Sequence, residues 1–327
     1  MRRSALATAL LSLALPATAA AQTPPPAPTP APTPIPDVKL SSSALDTMEG
    51  SRPAVFAGRS FTARVVMKPY VAGESAVLRA YRGKKKILAK SLTFKPVDGG
   101  SAGVATVKVR SKIASSLAIK VSHKATPVVG TLRAKTLRVN IVSPYANTGS
   151  SGPAVRWLQG KLAALKYVVP RTGVYDAGTG RAVMAWRKVA GFSRTYVATS
   201  QVFDGLLKGK GRFKVRHPGD GRHVEARINS QVLALIEGGK VQRIYHTSSG
   251  APATPTVRGK FRVYLKTPGT NAKGMVDSSY FIRGYAIHGY ASVPPYNASH
   301  GCLRVPVPNA RAIYDWLRIG DVVWVEP

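Results

Sequence analysis

The hydrophobic period of this chain changes twice, and that change limits the folds open to it more than any other feature. Between residues 61 and 121 apolar and polar side chains alternate, as in Phe61–Met67, Ala76–Tyr81, Val104–Val109 and Leu117–Val121. A period of two puts one face of a strand on a core and the other in water. From Val155 the period lengthens: Val155, Leu158, Leu162 and Leu165 recur at helical spacing and form one apolar stripe. From Val224 it shortens again, through Val224–Ile228, Gln231–Ile236 and Val241–Tyr245, with Gly238-Gly239 as a hairpin turn. Strands, then helices, then strands describe a multidomain, mainly β protein rather than an interleaved α/β one.

Five segments follow from this pattern. Residues 1–21 read as a signal peptide: Arg2 and Arg3 precede an apolar stretch, and Ala19-Ala20-Ala21 is a small-residue cleavage site. Residues 22–36 hold eight prolines between Pro24 and Pro36 and form an extended linker. Residues 37–145 suggest an immunoglobulin-like β-sandwich, with Arg82-Gly83-Lys84-Lys85-Lys86 at a basic hairpin tip. Residues 146–207 form a small three-helix domain. Its second helix starts at Asp176, whose side chain can cap a first turn containing Thr179, and buries Ala182, Val183 and Trp186. Its third helix follows Thr199 and uses Val202 and Leu206. Residues 208–327 add strands at Gly259–Leu265, Tyr285–His288 and Asp321–Val325 and a helix at Ala310–Leu317. Beyond the leader no stretch is long and apolar enough to span a bilayer, so no transmembrane segment is expected in the mature chain.

Charge and cysteine content narrow the function. There are 48 Lys+Arg against 14 Asp+Glu, a formal charge of +34. Such a field draws polyanions, and nucleic acid would be the first candidate for a cytoplasmic chain. An export signal redirects it to the periplasm or cell wall, where anionic wall polymers and peptidoglycan carboxylates are the counter-charges. Cys302 is the single cysteine, so no intrachain disulfide forms and the thiol is either a partner in an intermolecular bond or a reactive group.

The surroundings of Cys302 carry the chemistry. Ile287-His288-Gly289-Tyr290 is followed by a short loop and then Ser299-His300-Gly301-Cys302-Leu303-Arg304. A thiol needs a base or a positive environment to become a nucleophile, and two histidines lie nearby. Gly301 removes side-chain bulk beside the sulfur and lets backbone N–H groups converge on it. Two other readings stand beside nucleophilic catalysis. His288, His300 and Cys302 supply three zinc ligands without an evident fourth. Alternatively the thiol is buried and structural.

The arrangement His-Gly, short loop, Ser-His-Gly-Cys-x-Arg resembles the signature of the L,D-transpeptidase catalytic domain. Ser248-Ser249-Gly250, Thr254-Pro255, Gly259-Lys260-Phe261 and Gly320–Val325 extend the likeness over most of residues 208–327. Residues Val155–Gln159, Leu162, Leu165 and Gly173–Trp186 resemble a three-helix peptidoglycan-binding domain, with Trp186-Arg187 where that family usually has Phe-Gln. The resemblance implies Cys302 as nucleophile, His288 as general base, the Gly289 carbonyl as the group orienting the imidazole, and the Gly301 and Cys302 N–H groups as oxyanion donors. His300, Ser299, Arg304, Tyr290 and Tyr280 are the implied substrate contacts. The implied reaction joins peptidoglycan stem peptides by 3→3 cross-links through a cysteine thioester. Hydrolysis by the same site, as an L,D-carboxypeptidase, and a non-catalytic wall-binding scaffold are the alternatives. The resemblance also implies glycan contact, acylation by carbapenem-type β-lactams, no cofactor and no metal.

Overall fold

The computed structural model describes residues 37–43 and 53–327, so the expected leader and the whole proline tract lie outside the described residues. Two sheets make up the first region. One is ordered β1 (Asp37–Ser43), β3 (Ser60–Lys68), β7 (Ala102–Arg110), β6 (Lys95–Val97). The other is ordered β2 (Ala54–Phe56), β10 (Leu137–Val142), β8 (Ser115–His123), β4 (Ser75–Arg82), β5 (Lys85–Thr93), with β9 (Leu132–Arg133) beside β8. Alternation decides which side chains go inside. Phe61, Ala63, Val65 and Met67 of β3 meet Leu78, Ala80, Leu117 and Ile119 of the other sheet in one core. Gly83 and Lys84 form the tip of the β4–β5 hairpin, as the basic run predicts, with Gly83 at φ +57°.

Helices α1 (Pro153–Ala164), α2 (Ala177–Ala190) and α3 (Ser200–Leu207) follow. Pro153 at the first turn of α1 lacks an N–H that the helix has no use for there. Asp176 caps α2 as expected: its Oδ1 accepts from the Thr179 N–H (2.7 Å) and hydroxyl (2.9 Å). Gln159 ties α1 to the turn before α2, donating to the Val174 carbonyl and accepting from the Gly173 N–H. Trp186 is buried with its indole N–H on the Lys210 carbonyl. Arg187 is buried as well, donating to the carbonyls of Val197 and Ser193, so it works inside the fold. Phe56, Trp157 and Phe203 meet with ring centroids 5.0–5.6 Å apart and join the first region to the helices.

The last region has two sheets as well. One is ordered β13 (Lys240–His246), β12 (Val232–Glu237), β11 (His223–Arg227), β19 (Val322–Glu326), β14 (Gly259–Arg262). The other is β15 (Leu265–Thr270), β16 (Val276–Ile282), β17 (Tyr285–Tyr290), β18 (Leu303–Pro306), and helix α4 (Val307–Trp316) continues from it. Strand β12 corrects the simple alternating reading. Val232, Ala234 and Ile236 face the helices, while Leu233 and Leu235 face the core between the sheets, so both faces are covered. The strand expected over 259–265 breaks after Arg262 because β14 pairs with β19 while β15 begins on β16. The helix starts at Val307, earlier than expected, since Pro308 is tolerated in a first turn. No helix among the described residues is long and apolar enough to cross a membrane.

Candidate active site

A parallel pair of strands brings the two halves of the motif together. β17 and β18 run side by side with His288 in register with Arg304 and Ile287 with Leu303. Parallel neighbours cannot be joined by a tight hairpin, so the chain needs about a dozen residues to return. Residues 291–302 are that connection, and they deliver Cys302 just before β18 opens. The spacing between His288 and Cys302 in the sequence is therefore a topological requirement of this strand pair.

The connection is fastened by hydrogen bonds. The Val293 carbonyl accepts from His246 Nε2–H (2.9 Å), that of Pro295 from Arg194 Nη1 (3.0 Å), and that of Tyr296 from the Ser248 hydroxyl (2.6 Å). The Ala298 and Ser299 N–H groups both donate to the Ser249 carbonyl. The Ser299 carbonyl accepts from the Thr254 hydroxyl at 2.9 Å. The Ser-Ser-Gly and Thr-Pro segments are thus the clamps of the nucleophile's loop. Gly250 is required among them: a Cβ there would lie 2.2 Å from the Thr254 carbonyl oxygen.

His288 and Cys302 line one cleft of about 490 Å³, together with His300, Arg304, Tyr290, Lys273 and Tyr285. His288 Nδ1–H donates to the Gly289 carbonyl at 2.9 Å, the orienting contact expected from sequence. That bond fixes the tautomer and leaves Nε2 with a free lone pair when the ring is neutral. Burial holds the His288 pKa below the usual histidine range, the Gly289 carbonyl opposes this, and the Arg304 charge adds to it. The Cys302 sulfur accepts from the Ala286 N–H at 3.4 Å. Burial pushes its thiol upward, while that N–H and the charges of Arg304 and Lys273 pull it back. Both shifts favour the neutral thiol and the neutral imidazole.

The remaining expected site residues divide. Arg304 lies over the Tyr290 ring at 4.1 Å and donates to the Ala298 carbonyl, and Tyr290 meets His288 edge to face at 5.7 Å. His300 is exposed at the cleft. Ser299 is buried, and its hydroxyl accepts from the Gly301 N–H (3.1 Å) and donates to the Cys302 carbonyl (2.6 Å). Two corrections follow. Ser299 lines the cleft, but its hydroxyl proton braces the turn and is not available to donate to a ligand. The Gly301 N–H is taken by Ser299 and does not point at an oxyanion, whereas no side chain among the described residues takes the Cys302 N–H. Gly301 is needed for another reason: its φ is +110°, and a Cβ would sit 2.4 Å from the Tyr285 ring. Tyr280 is a third correction, since it stands behind the cleft. Its hydroxyl accepts from Asn271 Nδ2 (3.5 Å), and Asn271 Oδ1 accepts from the N–H groups of Lys273 and Met275 in the cleft wall.

Tyr285 and Lys273 belong to the cleft and were not expected. Tyr285 opens the same strand as His288, and its pairing with a glycine across the cleft leaves no mark in the sequence. Among the described residues no group of three His, Cys, Asp or Glu side chains is placed to hold a metal ion.

Comparison with known proteins supplies the family. A model of the L,D-transpeptidase catalytic domain matches residues 221–325, and a peptidoglycan-binding domain model matches residues 151–206. A crystal structure of the L,D-transpeptidase from Xylanimonas cellulosilytica is 34% identical, with 56% of this chain and 98% of that chain covered and a TM-score of 0.52. The catalytic domain of the E. faecium L,D-transpeptidase is 24% identical over 32% of this chain and 97% of that chain, with a TM-score of 0.29. No curated protein sequence matches the chain. A thiol and an oriented imidazole in one cleft, on a scaffold shared with the Xylanimonas protein, place this chain in the L,D-transpeptidase family.

Proposed function

We propose that this protein is an exported peptidoglycan transpeptidase that forms 3→3 cross-links through Cys302. The observation that carries this reading is the His288 Nδ1–Gly289 carbonyl bond, which turns Nε2 into a base within the cleft that holds the sulfur. His288 Nε2 takes the thiol proton as Cys302 Sγ attacks the amide carbonyl between the third stem residue and its terminal D-Ala. The C–N bond breaks, His288 hands its proton to the departing amine, and a thioester remains. The Cys302 N–H stabilises the oxyanion formed on the way; such a donor contributes about 10²–10³ in rate. A side-chain amine from a second stem then attacks the thioester carbon. The C–S bond breaks, His288 takes the amine proton and returns it to sulfur. Water in place of the amine would give the carboxypeptidase product. No step calls on a metal or an organic cofactor.

The same reading assigns the rest of the chain. Residues 1–21 direct export, residues 22–36 space the protein from the membrane, residues 37–145 lift the enzyme through the wall, residues 146–207 contact peptidoglycan and residues 208–327 do the chemistry. The test is intact-protein mass after exposure to a carbapenem and, separately, to tetrapeptide-bearing muropeptides. The wild type is expected to gain a covalent adduct and to release D-Ala. Cys302→Ala is expected to do neither while keeping its thermal transition. A folded wild type without adduct and without D-Ala release would leave the wall-binding scaffold as the better reading.

A further inference from the structure

A second groove, of about 530 Å³, lies between the helical region and the last region. Arg181 and Tyr196 form one wall; Tyr290, Val293 and Val307 form the other. Tyr290 also lines the cleft of Cys302, so that residue borders both spaces. Their walls are held at a fixed spacing. Lys188 of α2 is buried and donates to the carbonyls of Gln231 and Thr247 (both 3.0 Å) and to His246 Nδ1 (2.7 Å). His246 passes the contact on to the Val293 carbonyl, and Arg194 bridges the carbonyls of Pro295 and Asn229. Lys188 Nζ thus reaches three groups of the last region at 2.7–3.0 Å, and burial pulls its pKa down to about 6. The groove is preformed.

Its chemistry is one-sided. Arg181 is the one Lys, Arg, Asp or Glu in the lining, and the adjoining cleft adds Lys273 and Arg304. Neither lining contains a carboxylate. Burial and the neighbouring Lys188 push His246 down to about 3, so it adds no charge. Thr148 apart, the rest is aromatic and apolar, Tyr196 being 42% exposed. We propose that this groove binds the acceptor: a second, carboxylate-bearing stem peptide that lays its chain on Tyr196 and Tyr290 and sets a carboxylate against Arg181. A transpeptidase must hold two stems at once, and the Cys302 cleft is filled by the first. Lys273 and Arg304 of the cleft also disfavour a protonated acceptor amine, keeping its lone pair available. The helical region thereby becomes part of the acceptor site, and occupancy of that groove decides between cross-linking and hydrolysis.

This inference rests on the transpeptidase reading, and one experiment separates the two. The full chain, Arg181→Met and Tyr196→Ala are given tetrapeptide donor and, as acceptor, a free stem peptide without sugar. First-turnover D-Ala release, the carbapenem-reactive titre and the ratio of cross-linked to hydrolysed product are measured. Both variants are expected to keep the titre and to release D-Ala within about twofold of wild type, while the product ratio falls about tenfold, the effect of losing one charge-assisted contact. More acceptor should restore the ratio. Wild type that releases no D-Ala would sink the transpeptidase reading itself. Wild type that releases D-Ala but forms only the hydrolysed product would overturn the groove. So would an unchanged ratio in both variants, or sensitivity seen only with sugar-bearing acceptors.

Discussion

The front sandwich and the region that carries Cys302 are both built from paired sheets, yet they are held together differently. Among the described residues the sandwich buries few polar side chains, chiefly Glu74, Ser111 and His123. Glu74 and His123 are 3.5 Å apart and Thr126 donates to Glu74, so most of that small set is one local cluster. The last region and the helices beside it bury Lys188, Gln231, His246, Thr247, Ser248, Ser249, His288 and Ser299, nearly all engaged with backbone carbonyls or N–H groups. Packing tolerates loosening by degrees, whereas an unpaired buried polar group costs its full desolvation. The difference teaches where sequence change reaches function: in the sandwich it lowers stability, and near Cys302 it displaces reacting atoms.

The comparison can be broken most directly at Gly301. Gly301→Ala needs a strained φ and drives a methyl into the Tyr285 ring, so acylation by a carbapenem should slow by about 10²-fold, as for a displacement of about 1 Å. A rate within threefold of wild type would show that the turn yields. A matched pair sharpens the contrast. Leu78→Ala opens a cavity in the sandwich core and Lys188→Met orphans three acceptors, each expected to cost about 3 kcal/mol in thermal or denaturant unfolding. Only Lys188→Met should also slow acylation of the folded fraction, by about tenfold, because His246 would lose its partner beneath the Val293 loop. Equal acylation rates in the two variants would show that both regions pass a lost contact on to Cys302 alike. The smallest effect is on pH. His288 must be neutral to act as base, and its pKa is lowered, so the acid limb of kcat/KM should lie below the ordinary histidine value of about 6.5. A limb at or above that value would mean that burial does not govern this imidazole.

The site was legible to the extent that its chemistry is local. His288, Gly289 and Cys302 stand in a compact motif because a parallel strand pair with a minimal crossover keeps them close in sequence. Asp176 announced its helix because a cap needs a particular side chain one turn from its donor. What escaped was built across distance. Lys188 reads as one more cation in a basic chain, and only its approach to Gln231, His246 and Thr247 makes it a buried brace. Ser299 and the Gly301 N–H were read as facing a ligand because a motif does not say which way its groups point. Strands β15 and β16 went unread for opposite reasons. Leu265–Thr270 is an edge strand containing Pro268 and Gly269, with little apolar signal. Val276–Ile282 buries Asp277, Ser278 and Ser279, which sequence alone assigns to a loop.

Strand β12 has a consequence for how the chain can be divided. The two family matches end and begin at residues 206 and 221, as if the chain were assembled from separable modules. Yet Val232, Ala234 and Ile236, which belong to the second module by sequence, complete the core of the first. Without the helices those side chains would lie against water. The two modules share one core, so exchanging either of them would mean rewriting a strand that by sequence belongs wholly to the second.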